Sequence, residues 1–394
     1  MRQLSSRFQM LRKTFLGSFL SRKQQEDVIS LCIGEPFFDT PQHIKERGIQ
    51  AINKNKTKYT SANGSLATRQ AIQSFLSQEY HAFYDLDSIM VSPGAKPLIT
   101  AALAVLTGDW RYVFIPAPYY PPFYNISVLQ SKSLLSCPML VDTREDDFQI
   151  TGEAIKRVIG NLYDEESVDS SVLILNSPNN PTGVVYTRKN LESVAKVVKE
   201  YDMWVILDES YLDFTYNNDY CFFADLSDMA ERTVVIRSFS KTYAMTGWRM
   251  GYVLGPPKVV NNINAYMNNC IGCASSISQE AAIAALQSSV MADDVRESFL
   301  INRNILLEWL TDNSIPFVEP QGAFYVFPDL SEYCFSGGFK DATEIVGYCL
   351  EKARVAITPG LDFGDMYKNF VRISYSVSTD KLKQALVRLE ELIN

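Results

Sequence analysis

One stretch of the chain concentrates reactive side chains: Ser238-Phe239-Ser240-Lys241-Thr242-Tyr243-Ala244-Met245-Thr246-Gly247-Trp248-Arg249-Met250-Gly251. A short apolar run, Val234–Ile236, reads as a strand and leads into it. Two hydroxyls, Ser238 and Ser240, alternate on one side, a lysine follows in a turn of small residues, and Arg249 lies beyond. Hydroxyls and a guanidinium converging at a strand end make an anion site suited to a phosphate. A lysine partly desolvated beside that cation has its ammonium form disfavoured, which suits a Schiff base with a carbonyl. A surface-loop lysine with Arg249 in an ordinary salt bridge would leave the small residues and paired serines unexplained.

Composition narrows what such a site could serve. The 394 residues carry 37 basic and 45 acidic side chains, a net charge of −8. A nucleic-acid surface or an anionic-membrane binder is not expected, because both need local positive excess. No apolar run approaches the roughly 20 residues needed to span a bilayer. His43 and His81 are the entire histidine supply, which excludes three-histidine zinc sites, and no metal is expected. Cys32, Cys137, Cys221, Cys270, Cys273, Cys334 and Cys349 are scattered and odd in number, unlike a secreted disulfide framework. Cys270 and Cys273 form a C-x-x-C, but with no second pair they read as packed small residues rather than a redox pair or half a zinc site.

Residues 1–25 are basic and acid-free, which describes an organelle transit peptide. It also describes an amphipathic surface helix with Phe8, Leu11, Phe15 and Phe19 at helical spacing. The surface helix, and with it a cytoplasmic location, is the reading we favour.

Other elements must hold the Lys241 stretch in place. From about residue 65 to 255, helix-period and short apolar segments alternate, the signature of a mostly parallel sheet. Helices are expected over Arg69–Tyr80, Pro97–Leu106 and Leu191–Tyr201, and strands over Ser88–Ser92, Tyr112–Ile115, Val172–Leu175, Trp204–Leu207 and Val234–Ile236. Polar residues sit just past the carboxyl ends of these strands, where open α/β sheets gather ligands. Beyond about residue 275 one long helical region, Gln279–Leu310, is expected. Strands at Phe324–Phe327 and Phe370–Tyr375 and helices at Thr343–Lys352 and Thr379–Leu392 follow. The fold class is therefore α/β: a large domain, 40–275, with a mostly parallel sheet sandwiched by helices. A smaller α+β domain is built from 1–39 and 276–394.

The Lys241 stretch resembles the pyridoxal-phosphate lysine region of the class I/II aminotransferases of fold type I. Four further motifs fall in family order: Ile33-Gly34-Glu35-Pro36, Asn179-Asn180-Pro181-Thr182-Gly183, Asp208-Glu209-Ser210-Tyr211 and Phe370-Val371-Arg372-Ile373-Ser374. Any one alone is weak; five in order are strong evidence. The likeness runs from about Asp27 to the C-terminus.

That resemblance implies pyridoxal 5'-phosphate held on Lys241, with Asp208 keeping the ring nitrogen protonated so that the ring can act as electron sink. Asn180 and Tyr211 resemble the family's two donors to the cofactor's phenolic oxygen. Gly94-Ala95-Lys96, where a strand gives way to a helix, would present backbone N–H groups to the phosphate, joined by Ser238, Ser240 and Arg249. Tyr120 matches the aromatic residue that stacks on the ring. Tyr59 matches a tyrosine that reaches the phosphate from a neighbouring subunit, which implies a homodimer. Arg372 resembles the fork that grips the substrate α-carboxylate, and Gly34 would let backbone approach that carboxylate.

The implied reaction is ping-pong transfer of an amino group from an L-amino acid to a 2-oxo acid, with Lys241, Asp208 and Tyr211 in catalytic roles. At the substrate's far end no arginine occurs between Pro256 and Val295, so Lys96 is the candidate cation for a distal carboxylate. The rival is a pocket of Tyr119, Phe37 and Phe38 for aromatic or thioether side chains. A lyase on the same fold is the alternative reaction, suggested by Pro118-Tyr119-Tyr120-Pro121-Pro122-Phe123, and a non-catalytic binding descendant is a further one.

Overall fold

The computed structural model describes residues 6–15, 27–107, 112–130, 138–162, 168–217, 220–288 and 293–393. Its centre is a seven-stranded sheet of β1 (Ile89–Ser92), β2 (Val113–Ala117), β3 (Pro138–Asp142), β4 (Val172–Asn176), β5 (Trp204–Asp208), β6 (Thr233–Ser238) and β7 (Gly251–Leu254). Their order across the sheet is β1-β7-β6-β5-β4-β2-β3. β7 runs antiparallel to both neighbours and the other pairs are parallel. β4 and β5 are apolar almost throughout because helices cover both faces, as a buried parallel sheet requires. Register places Asn176 opposite Asp208 and Asp208 opposite Ile236, so the carboxyl ends of β4, β5 and β6 form one ledge.

Most expected elements appear, shifted by a few residues. Ser65 caps the helix Leu66–Glu79 through the Thr68 N–H, and Thr187 caps Arg188–Glu200. β2 runs on through Pro116 to Ala117. The long region Gln279–Leu310 divides into two helices, Ser276–Leu286 and Asp293–Asp312. Ser288 Oγ bonds the Ala285 carbonyl at 2.7 Å, a side-chain contact that competes with helical continuation. The helix expected over Thr343–Lys352 is Ala342–Tyr348 followed by a π-turn, Cys349–Ala353. Among residues 6–14 the amphipathic helix is not found: Ser6–Gln9 form a 3₁₀ turn, Phe8 is exposed, and the chain then runs irregularly. Phe19 lies outside the described residues.

A three-stranded antiparallel sheet joins Thr358–Pro359, Val371–Ser374 and Tyr325–Val326, and Ile29–Ser30 pairs in parallel with Val355–Ala356. Buried apolar side chains form one large cluster around the seven strands and a second around the Asp293–Asp312 and Thr379–Ile393 helices. Tyr211 and Phe214, just past β5, pack into the second cluster, which ties the ledge to the smaller sheet. Cys270 is exposed and Cys273 half-buried, both as free thiols, so the packed reading fails for Cys270. No described helix is long and apolar enough to cross a membrane.

Candidate active site

Over the ledge lies a cavity of about 480 Å³. Its walls include Gly34, Ala95, Lys96, Tyr120, Asn180, Asp208, Tyr211, Ser238, Ser240, Lys241, Arg249 and Arg372, residues drawn from every motif read above. Two expected residues stand apart. Gly94 does not line the cavity and lies beside the Arg249 guanidinium. Tyr59 is 97% exposed and does not line the cavity in a single chain.

Lys241 sits in the short helical turn Phe239–Thr242 that follows β6, and Ser238 Oγ caps that turn by accepting from the Ser240 N–H at 3.1 Å. The Lys241 ammonium donates to the Gly34 carbonyl. Burial lowers its pKa to about 8; nearby Glu35 opposes the shift, and the cations Arg372 and Arg249 reinforce it. Near neutral pH a usable fraction is therefore the free amine, the form that attacks a carbonyl.

Asp208 closes β5 and is buried, accepting one backbone hydrogen bond from Ser210 at 2.9 Å. Burial raises its pKa, with the Ser210 bond in opposition. A buried carboxylate whose desolvation is only partly offset by Ser210 and Lys241 favours a further proton-bearing cation beside it.

At the other end, Gly94 takes φ +92° and begins the helix Ala95–Leu106. That φ favours glycine, and a Cβ there would lie 2.5 Å from Arg249 Nη2 and push the guanidinium aside. Arg249 donates to the Thr246 carbonyl at 2.8 Å and keeps its outer face exposed. Free N–H groups at a helix start, two serine hydroxyls and an exposed guanidinium form a dianion cradle.

Arg372, on the strand Val371–Ser374, is buried. It donates from Nη2 to the Cys32 carbonyl at 2.6 Å and from Nη1 to Asn180 Oδ1 at 2.9 Å, while Nε has no partner among the described residues. An incompletely satisfied buried guanidinium on a cavity wall is matched by a carboxylate.

These observations fit pyridoxal phosphate: an amine for the aldehyde, a buried carboxylate for the ring nitrogen, and a dianion cradle for the phosphate. Sequence reasoning missed Glu35, Asn176, Ser210, Thr246 and Tyr325 on the walls. Tyr325 carries the most weight among them, and within the apolar run Phe324–Phe327 it reads as an ordinary core residue. The aromatic pocket expected from Tyr119, Phe37 and Phe38 is not found. Tyr119 turns away to bond Arg12 Nη1 at 2.6 Å, Phe37 and Phe38 pack on Phe299, and none of the three lines the cavity.

A family model described as aminotransferase class I and II matches residues 26–389. The aromatic-amino-acid aminotransferase 2 of Thermococcus litoralis is 32% identical, covering 99% of this chain and 98% of its own. An aspartate aminotransferase of Bacillus subtilis is 34% identical over 93% of this chain and 91% of its own. The crystal structure of an aromatic aminotransferase from Pyrococcus horikoshii superposes with a TM-score of 0.85 at 35% identity, covering 96% of this chain and 98% of that one.

Proposed function

The chain belongs to the class I and II aminotransferase family, and on that premise we propose how its residues divide the work of a pyridoxal-phosphate-dependent transamination. The observation that supports the division is the convergence of Lys241, Asp208 and Arg372 on one cavity. When bound, pyridoxal phosphate supplies a carbonyl for capture by an amine and a ring that takes up the electron pair left when the substrate Cα–H bond breaks.

Lys241 would hold the cofactor through its side-chain nitrogen and, when not so engaged, would serve as the general base that carries a proton away from the substrate Cα. Its lowered pKa suits it to that exchange, since the same nitrogen must both accept and return a proton near neutrality. Asp208 would hold a proton at the ring nitrogen. Asn180 and Tyr211 would donate to the phenolic oxygen. Gly94, Ala95, Ser238, Ser240 and Arg249 would take the phosphate, and the Lys96 backbone continues that helix start. Tyr120 would cover the ring, and Arg372 would orient the substrate by its α-carboxylate, with Gly34 beside it.

The test is a half-reaction panel. Holoenzyme is mixed with single amino acids and the cofactor absorbance is followed. Conversion equal to the number of sites, with release of the matching 2-oxo acid, supports the assignment. Many turnovers without any acceptor would mark a lyase instead.

We propose a homodimer as the working unit. Ile49 and Ile52 on the helix Gln42–Asn53, together with Tyr59 and Leu66, are exposed apolar side chains in one stretch of the chain. Ion pairs from Arg47 and Lys56 to Glu280 join that region to the helix Ser276–Leu286. A surface of this kind in a stable protein fits a partner subunit, with Tyr59 reaching the partner's phosphate. The free thiols support a cytoplasmic location. The two apolar clusters support two parts, but Ala281, Ala282, Ala285 and Leu286 pack in the large cluster, so the helix Ser276–Leu286 goes with 40–275 rather than with the smaller part formed by 1–39 and the later residues.

A further inference from the structure

We propose that Tyr325 is a positioning residue that couples the substrate-carboxylate arginine to the phenol of Tyr211, its hydroxyl serving one and its ring face the other. The inference rests on the roles given above to Tyr211 and Arg372.

Tyr325 is fully buried on the strand Tyr325–Val326, and register sets it opposite Ser374, two residues along from Arg372. Its hydroxyl lies 2.8 Å from the Tyr211 hydroxyl, with the two rings edge to face at 5.6 Å. Its ring centroid lies 4.5 Å from Arg372 Cζ, and Phe363 faces the same guanidinium at 5.0 Å. One side chain thus touches both groups.

Gly34 makes room for this arrangement. A Cβ at position 34 would fall 2.2 Å from Tyr325 Oη, so the glycine of Ile33-Gly34-Glu35-Pro36 admits the tyrosine hydroxyl as well as offering its carbonyl to Lys241. A hydroxyl can donate one bond and accept others. If Tyr211 donates into the cavity, the Tyr325 hydroxyl must donate to Tyr211. A guanidinium against the Tyr325 ring makes that phenol the stronger donor, and hydrogen bonds in a dry chain polarise one another. The ring face in turn fixes the plane of the arginine fork before any carboxylate arrives.

The test separates the two halves. Tyr325→Phe keeps the ring and loses the hydroxyl. It should lower kcat about tenfold and shift the pH midpoint of the Lys241-bound cofactor absorbance upward, as loss of an outer-shell hydrogen bond does. KM and the affinity for an α-methyl amino acid, which has no transferable proton, should stay near the parent. Tyr325→Leu should also weaken α-methyl amino acid binding on the order of tenfold, because the arginine loses its platform. Tyr211→Phe provides the reference. If it shifts the midpoint and Tyr325→Phe adds little on top, the coupling is established. If Tyr211→Phe shifts it and Tyr325→Phe does nothing, the Tyr325 proposal is overturned while the reading of Tyr211 stands. If Tyr211→Phe itself leaves the midpoint unmoved, the reading of Tyr211 fails and the coupling fails with it. Weakened binding in Tyr325→Phe with kcat retained would also overturn the division of labour.

Discussion

Asn180 and Arg372 are joined by a 2.9 Å hydrogen bond from Nη1 to the Asn180 side-chain oxygen, across 192 positions of sequence. The bond links the loop after β4 to the small antiparallel sheet, and it closes over the cavity. In the proposed roles, Asn180 keeps its amide N–H₂ for the cofactor while its oxygen steadies the fork assigned to the substrate carboxylate.

Replacing Arg372 by lysine retains the charge but removes the planar pair of donors. We expect KM for amino acids to rise about 10- to 100-fold, the loss of a charge-assisted contact, with a smaller change in kcat. Asn180→Ala should lower kcat more than it raises KM. Steady-state kinetics on both variants decide it, and equal effects on KM and kcat in both would reject the split.

Much of this site was legible in the sequence because its anchors sit where patterns are strong. β4 and β5 are unbroken apolar runs ending in Asn176 and Asp208, and that polarity change marks the ledge. β3 escaped notice because it opens on Pro138, closes on Asp142 and lies at the sheet edge, half-buried. Gly251–Leu254 and the helices Gln42–Asn53, Pro121–Gln130, Gly152–Ile159 and Pro257–Cys270 were also missed. The Pro121–Gln130 segment, for one, has no marked apolar stripe to betray its period. Tyr325 could not be told from a core tyrosine, since its function lies in contacts with Tyr211 and Arg372 that only the fold creates.

Lys241 gives a pH prediction with a definite sign. Its folded pKa, about 8, lies below the unfolded lysine value, so between the two the unfolded chain binds the extra proton. The cofactor-free protein should therefore gain stability from this group as pH rises from about 8 toward the free lysine value. Lys241→Met should abolish that gain, measured as the unfolding midpoint against pH. The rate of cofactor capture by the parent should rise with pH and level off above about 8. A rate still climbing well beyond that range would contradict the lowered pKa.

Glu209 and Arg237 form a buried ion pair at 2.7 Å beneath the ledge, with Tyr220 donating to the other carboxylate oxygen at 2.8 Å and Tyr80 stacked 4.5 Å from the guanidinium carbon. The pair clamps β5 to β6, one residue beyond Asp208 and one before Ser238. Arg237→Met should strand the carboxylate and cost about 3–5 kcal/mol. Adding Glu209→Leu should restore part of the loss, because the uncompensated charge disappears. Denaturant unfolding of the cofactor-free variants measures this. A double variant no more stable than Arg237→Met would mean that packing around the pair, rather than its charge, sets the stability.

Lys96 is the residue we expect to bias substrate choice. Its backbone belongs to the helix start proposed to receive the phosphate, whereas its side chain lies on the cavity wall with Nζ 5.8 Å from the Tyr120 ring centroid. Burial and the neighbouring Arg249 both lower its pKa, so a second cation is held near the first at some cost. A distal carboxylate would relieve that repulsion, and the expected aromatic alternative has lost its lining: Tyr119, Phe37 and Phe38 face elsewhere. A charge-assisted contact of this kind is worth about 1.5–3 kcal/mol, roughly a tenfold to hundredfold preference for acidic over neutral substrates. Lys96→Ser removes the cation and leaves the backbone in place. We expect kcat/KM for aspartate or glutamate to fall by that factor while phenylalanine and methionine change little. An equal loss on all four would place Lys96 with the phosphate instead, and no loss on any would leave it as a solvated residue at the start of a helix.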